Sequence, residues 1–268
     1  MAAVTGIRKL GAQFLRRWLA HPLTAGMRID DPATTELRRQ IIELKPFLKS
    51  IYDEWYRMLA AELPAVEGAV LELGAGAGSC NDAIPGVIRS EVFYSKRVEL
   101  VADAQQLPFG DGTLRAIVFT DVLHHMPDVR QFFAEAVRSL RPGGKILMIE
   151  PWVTRWSTFI YKKFHHEPFL PEAKEWRFLS SGPFSGANGA LPWILFVRDR
   201  TEFEKEFGEL RIERIRPFLP FRDLVSGGVG LRSLMPNISY RVWAGLEKLL
   251  EPQMERLGMF AFISLLRR

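Results

Sequence analysis

Three groups of residues in this 268-residue chain have types and spacings that can do chemistry. The first is the run Val70-Leu71-Glu72-Leu73-Gly74-Ala75-Gly76-Ala77-Gly78, an apolar stretch that opens on a turn with glycine at every second position. Glycine admits positive φ and puts no Cβ between backbone and ligand. At the carboxyl end of a parallel strand, such a turn suits close approach of a cofactor. A dinucleotide-binding loop would read GxGxxG, with its third glycine at position 79; that residue is Ser79, and the third glycine is Gly78. Glu72 adds a carboxylate where a dinucleotide site usually carries an apolar residue. Both features argue away from nicotinamide. An NAD(P)-dependent oxidoreductase stays as the alternative enzyme, and a tight turn without ligand as the bland alternative.

The second group is His124-His125, and the third is His165-His166-Glu167. Imidazole titrates near neutral pH, so His124 or His125, and His165 or His166 held by the neighbouring Glu167 carboxylate, are candidate general bases for an acceptor hydroxyl. Cleft lining by His124 and His125 is the plainer reading. Cys80 is the single cysteine, and no CxxC or Cys/His cluster suggests zinc; no metal site is expected, with metal binding at His165-His166-Glu167 as the minor alternative.

These groups need elements to hold them. Ala69–Leu73 reads as a first strand, followed by a short helix over Asn81–Ile84 cut by Pro85. Val87–Val92, Glu99–Ala102, Leu114–Thr120 and Lys145–Glu150 read as further strands, with a helix over Val129–Leu140 stopped by Arg141-Pro142-Gly143-Gly144. Strands alternating with helices imply βαβ units and a parallel sheet. Upstream, a helix over Thr34–Leu63 is expected to bend near Pro46, which removes a backbone donor. Its stripe Tyr52, Trp55, Tyr56 and Leu59 either packs the core or covers the cofactor cleft. Residues 151–198 are aromatic-, Pro- and Gly-rich and read as a long functional loop over the site. A helix over Arg200–Phe207, strands over Leu210–Pro217 and Met259–Leu266, and an insertion at 219–258 with a helix over Tyr240–Leu250 complete the chain.

In order along the chain, VLELGAGAG, VADAQQLPFGDGTLRAIVFTDVLHHMPD and LRPGGKILMIEP resemble the class I S-adenosylmethionine-dependent methyltransferases. Among these the likeness is to the small-molecule group related to ubiquinone/menaquinone C-methyltransferases. It covers about Val70–Pro151. The resemblance implies an α/β fold: a Rossmann-like, seven-stranded, mostly parallel sheet with helices on both faces, the last strand antiparallel, and a helical N-terminal extension. The division expected is 1–63 for the N-terminal helices and 64–268 for a methyltransferase domain with insertions at 151–198 and 219–258.

The same resemblance implies S-adenosyl-L-methionine as cofactor. Gly74, Ala75, Gly76 and Gly78 would meet its aminoacyl part and Glu72 its ammonium group. Glu91 would take the ribose hydroxyls, Asp103 the adenine amino group and the Ala104 N–H the ring. Asp121 and Val122 would line the methionine end. The sequence departs from the family pattern after the second strand, where almost no helix fits before Glu99; Glu91 is alternatively a solvent-facing strand residue. Asp103 alternatively caps a turn. The reaction expected is O-methylation of a small molecule, with lipid or lipid-linked glycan as acceptor class. A non-catalytic S-adenosylmethionine-binding protein is the remaining alternative.

Charge and composition bear on partners. Lys and Arg number 36 against 31 Asp and Glu, a net charge of +5. The basic balance favours anionic surfaces, yet no RNA-binding signature or dense basic tract argues for nucleic acid. Residues 5–20 read as an amphipathic helix, with Ile7, Leu10, Phe14, Leu15 and Trp18 on one face and Arg8, Lys9, Arg16 and Arg17 mostly on the other. It either docks on the core or lies on an anionic membrane surface. Those charges break any signal-peptide apolar run, and no run reaches the roughly 18 apolar residues of a membrane span. A cytoplasmic protein, peripheral on the inner membrane face, is the expectation.

Overall fold

A computed structural model describes residues 20–24, 30–76, 80, 82–165, 167–180, 182 and 186–268. Gly78 and His166 lie outside the described residues, as do residues 5–19 of the expected amphipathic helix. Ala20, the last residue of that span, is bridged antiparallel to Leu231.

The sheet has seven strands: β1 (Ala69–Glu72), β2 (Ile88–Glu91), β3 (Leu100–Val101), β4 (Leu114–Thr120), β5 (Leu140–Pro151), β6 (Leu210–Phe218) and β7 (Phe260–Arg267). Their order is β3-β2-β1-β4-β5-β7-β6. Pairs from β3 to β5 are parallel, and β7 runs antiparallel to both β5 and β6. The two central strands are apolar on both faces because helices cover the sheet; Ile117, Val118, Ile146 and Leu147 are fully buried. This is the Rossmann-like, mostly parallel arrangement expected, and it brings the carboxyl ends of β1, β2 and β4 together.

Upstream lie α1 (Pro32–Leu44) and α2 (Pro46–Ala61), two helices where one bent helix was expected. Pro46 starts α2 because a proline at the first helical position gives up only an N–H that would be unpaired there anyway. Asp31 caps α1 by accepting from Ala33 N–H at 2.9 Å. Lys45, between the helices, is buried; its ammonium donates to the carbonyls of Leu231, at 2.8 Å, and Gly228. That contact ties the N-terminal helices to residues 219–258. Burial lowers the Lys45 pKa to about 8.

Between β4 and β5, α3 (Val129–Ser139) is capped by Asp128, which accepts from Arg130 N–H at 3.1 Å. Two expectations are corrected. Of the short helix expected over Asn81–Ile84, residues 82–84 are turn and bend, and no α-helix stands between β1 and β2 among the described residues. The segment 151–198 is not one long loop, for it contains α4 (Arg155–Phe164). A capping box starts α4, the Thr154 hydroxyl accepting from Ser157 N–H while Ser157 Oγ accepts from Thr154 N–H. Further on, α5 (Arg200–Glu206) leads into β6, and α6 (Tyr240–Leu249) crosses the second insertion.

Candidate active site

The turn after β1 is held against β2. Gly74 has φ of +67°, the left-handed region that favours glycine. A Cβ at Gly76 would lie 2.2 Å from Thr35 Cγ2 and 2.5 Å from Glu91 Oε2. Glu91, at the end of β2, accepts from the backbone N–H of Gly76 at 3.2 Å and of Val92 at 2.8 Å. Burial raises its pKa against those two hydrogen bonds. Glu91 is therefore a buried residue on the loop, not a solvent-facing one.

Glu72 points elsewhere. It is 3% exposed, and its carboxylate accepts from Cys80 N–H at 3.5 Å. Burial pushes its pKa up to about 7. Asp103 is exposed at the rim, where Oδ1 accepts from Gln105 N–H at 2.9 Å; the turn-capping role is realised. Asp121 follows β4 with φ of +56°. A non-glycine residue in that region stores backbone strain, and such residues gather at ligand sites.

The turn Asp121–His125 is shaped by Glu150, at the end of the neighbouring β5. One Glu150 oxygen accepts from Val122 N–H and Leu123 N–H, both at 2.8 Å, while the other lies 2.6 Å from His124 Nδ1. On its far side, His124 Nε2 is 3.6 Å from Glu167 Oε2. Burial disfavours the imidazolium, but the charge and hydrogen bond of Glu150, joined by Glu167, push the His124 pKa up to about 10. His125 lies tilted beside it, ring centroids 4.2 Å apart, with Nδ1 3.1 Å from the Gly186 carbonyl. Burial and the neighbouring His124 charge lower its pKa to about 3. Glu167 is held well below the usual carboxylate range; burial opposes this, and the hydrogen bond and charge of His124 prevail. His165 is half exposed, Nδ1 3.8 Å from Glu167 Oε2.

Most of these parts face one cavity of about 1190 Å³; Glu72, Gly76 and Glu150 lie behind its wall. Gly74, Glu91, Asp103, Ala104, Asp121 and Val122 line one part of it; His124, His125, His165 and Glu167 line another. Tyr52, Trp55 and Tyr56 of α2 line one side, while Leu59 of the same stripe packs in the core. Small-molecule pockets commonly measure about 300–1,000 Å³; this one has room for a donor and an acceptor together. The residues fit an adenosyl cofactor: a loop where a Cβ at Gly76 would displace the Thr35 and Glu91 side chains, a carboxylate at the end of β2, and a rim carboxylate after β3.

Sequence reasoning passed over Glu150 and the meeting of residues 124 and 167. For Glu150 a signal exists, a lone carboxylate ending the buried run Ile146–Ile149 beside the strand that delivers His124.

Residues 71–148 match the methyltransferase domain family. With the strand order and the cavity at the strand ends, this defines a class I S-adenosylmethionine-dependent methyltransferase domain, and S-adenosylmethionine as its cofactor. Over 90 residues the chain is 34% identical to demethylmenaquinone methyltransferases of Bacillus mycoides and Bacillus anthracis. The match covers 32% of this chain and 38% of theirs, so the chain spans little more than a third of the length of these relatives. Among solved structures, a geranyl diphosphate methyltransferase in complex with SAM aligns at a TM-score of 0.47 and 16% identity, over 82% of this chain and 87% of that one. The geranyl diphosphate C-methyltransferase of Streptomyces coelicolor aligns at 0.45 and 16%, over 82% and 81%. Among the described residues, no helix is long and apolar enough to cross a membrane.

Proposed function

We propose that the protein transfers the methyl group of S-adenosylmethionine to an oxygen atom of a small, largely apolar acceptor, with lipid-type molecules as the acceptor class. One observation carries the reading: the cofactor loop and the His/Glu cluster share a single cavity large enough for two molecules. The bound cofactor supplies an electrophilic methyl sulfonium. The chain's own residues bind, orient and exclude water. Glu91 offers carboxylate oxygens to the ribose hydroxyls, Asp103 and Ala104 meet the adenine, and Asp121 and Val122 border the methionine end. Aligning the acceptor behind the methyl group contributes on the order of 7–11 kcal/mol in favourable cases.

An oxygen acceptor must lose a proton. His124 is a poor base because two carboxylates keep it charged. His165 lines the same cavity and is assigned the proton-accepting role. Calorimetry with S-adenosylhomocysteine and with NAD tests the donor; binding of NAD alone would favour the oxidoreductase alternative. Turnover of ¹³C-methyl-labelled cofactor on a small-molecule and lipid extract tests the acceptor, because the carbon shift of the product separates O-methyl from C-methyl. A C-methyl product overturns the oxygen assignment. Tight S-adenosylhomocysteine binding with no transfer to any pool favours the non-catalytic alternative.

A further inference from the structure

Donor atoms of His124, His125 and Glu167 all lie within 4.8 Å of one another on the cavity wall. Glu167 spans the pair, Oε2 3.6 Å from His124 Nε2 and Oε1 3.8 Å from His125 Nε2. Both spacings exceed the roughly 2.9 Å of an N–H···O hydrogen bond. They approach the roughly 3.3 Å between neighbouring ligand atoms around a tetrahedral cation with bonds of about 2.0–2.1 Å.

The opposite ring nitrogens are already committed. His124 Nδ1 lies 2.6 Å from Glu150 Oε2, and His125 Nδ1 lies 3.1 Å from the Gly186 carbonyl. Acceptors at Nδ1 leave each Nε2 facing Glu167, and a cation bound there would replace the Nε2 proton that His124 otherwise holds. Metal-ligating histidines are oriented by this kind of outer contact, often from a carboxylate. Glu150 is itself immobilised by the N–H groups of Val122 and Leu123.

We propose that His124, His125 and Glu167 bind one divalent d-block cation of the zinc type at the acceptor end of the cavity, oriented by Glu150 and the Gly186 carbonyl. Two imidazoles favour such an ion over Mg²⁺ or Ca²⁺. Three protein ligands leave a position open, as catalytic sites do. The mechanistic consequence rests on the oxygen-acceptor reading. The cation polarises the acceptor hydroxyl and His165 takes its proton. The oxygen pair then forms the C–O bond as the C–S bond breaks, leaving its pair on sulfur as a neutral thioether.

The test uses untagged, full-length protein stripped with chelator. Calorimetry with Zn²⁺ is expected to give one site per chain, not displaced by excess Mg²⁺. Co²⁺ is expected to give the visible absorption of a four- or five-coordinate ion. His125→Ala and the isosteric Glu167→Gln should each weaken Zn²⁺ at least 100-fold. Glu150→Gln should weaken it about 10- to 100-fold and shift the Co²⁺ spectrum, whereas His165→Ala should leave Zn²⁺ affinity unchanged. Absence of stoichiometric Zn²⁺ binding by folded protein, or binding indifferent to Glu167→Gln, overturns the proposal. S-adenosylhomocysteine affinity of the same samples reports separately on the donor reading: retained binding of that ligand with no Zn²⁺ site defeats the metal proposal alone.

Discussion

Glu150 Oε2 and His124 Nδ1 meet at 2.6 Å, on side chains 0% and 2% exposed. The contact joins the end of β5 to the turn leaving β4, so this wall of the cavity is braced by the two central strands and not by a surface loop. Removing one charge from a buried pair leaves the other uncompensated, at about 3–5 kcal/mol. For a chain this long, each kcal/mol moves Tm by about 2–4 °C. Glu150→Gln, measured by thermal unfolding of metal-free protein, is therefore expected to lower Tm by roughly 6–20 °C. An unchanged Tm would show that the pair contributes no stability.

The cofactor loop makes an opposite kind of prediction, with binding lost and fold kept. A Cβ at Gly76 would meet only side-chain atoms of Thr35 and Glu91, which can swing aside. Gly76→Ala should leave Tm within about 2 °C, since the neighbours can yield. Displacing the Glu91 carboxylate should weaken S-adenosylhomocysteine at least tenfold by calorimetry. Unaltered affinity would separate Glu91 from ribose recognition.

Much of this arrangement was legible in the sequence, and the part that was not has a physical reason. β4 runs over Leu114–Thr120 as its β-branched, apolar pattern indicates, because a strand buried on both faces has little freedom to do otherwise. The glycine loop was legible because close backbone approach limits residue choice. The α4 helix was hidden: Trp156, Phe159 and Phe164 read as loop aromatics, while the stop-start signal was a Thr154–Ser157 box lacking the usual Glu or Gln. The His124–Glu167 contact joins residues far apart in sequence through the way 151–198 folds back over the strand ends. Adjacent His165 and Glu167 suggested a base held by its own neighbour, whereas Glu167 lies between His124, His125 and His165.

Glu72 gives a pH dependence whose sign follows from its burial. Its folded pKa is raised to about 7 from 4.5, so the folded state holds the proton more tightly than the unfolded chain. The contribution to stability is full below pH 4.5 and lost as pH rises through about 7. The loss amounts to at most about 3 kcal/mol, at about 1.4 kcal/mol per pKa unit. Glu72→Gln cannot ionise and escapes that loss. It should unfold at a higher temperature than the parent at pH 8, and with little difference at pH 5. Equal Tm differences at both pH values would place the Glu72 pKa in the ordinary range.

The lipid reading turns on what lies beside the cavity. Ala20 pairs with Leu231, and Leu231 lines the cavity. On the same insertion, Ile238, Val242, Leu246 and Leu249 recur at helical spacing and are 89%, 63%, 46% and 78% exposed. A basic amphipathic segment and an exposed apolar helix face suit an anionic bilayer surface, where apolar burial and headgroup attraction add. Full-length protein is expected to float with vesicles containing anionic lipid and to release as salt rises, because screening shortens the reach of the charges. The double variant Arg16→Glu/Arg17→Glu should abolish flotation, and Val242→Ser/Leu249→Ser should weaken it. No flotation of the parent protein at low salt would remove the membrane from the account and leave a small molecule delivered through water as the acceptor.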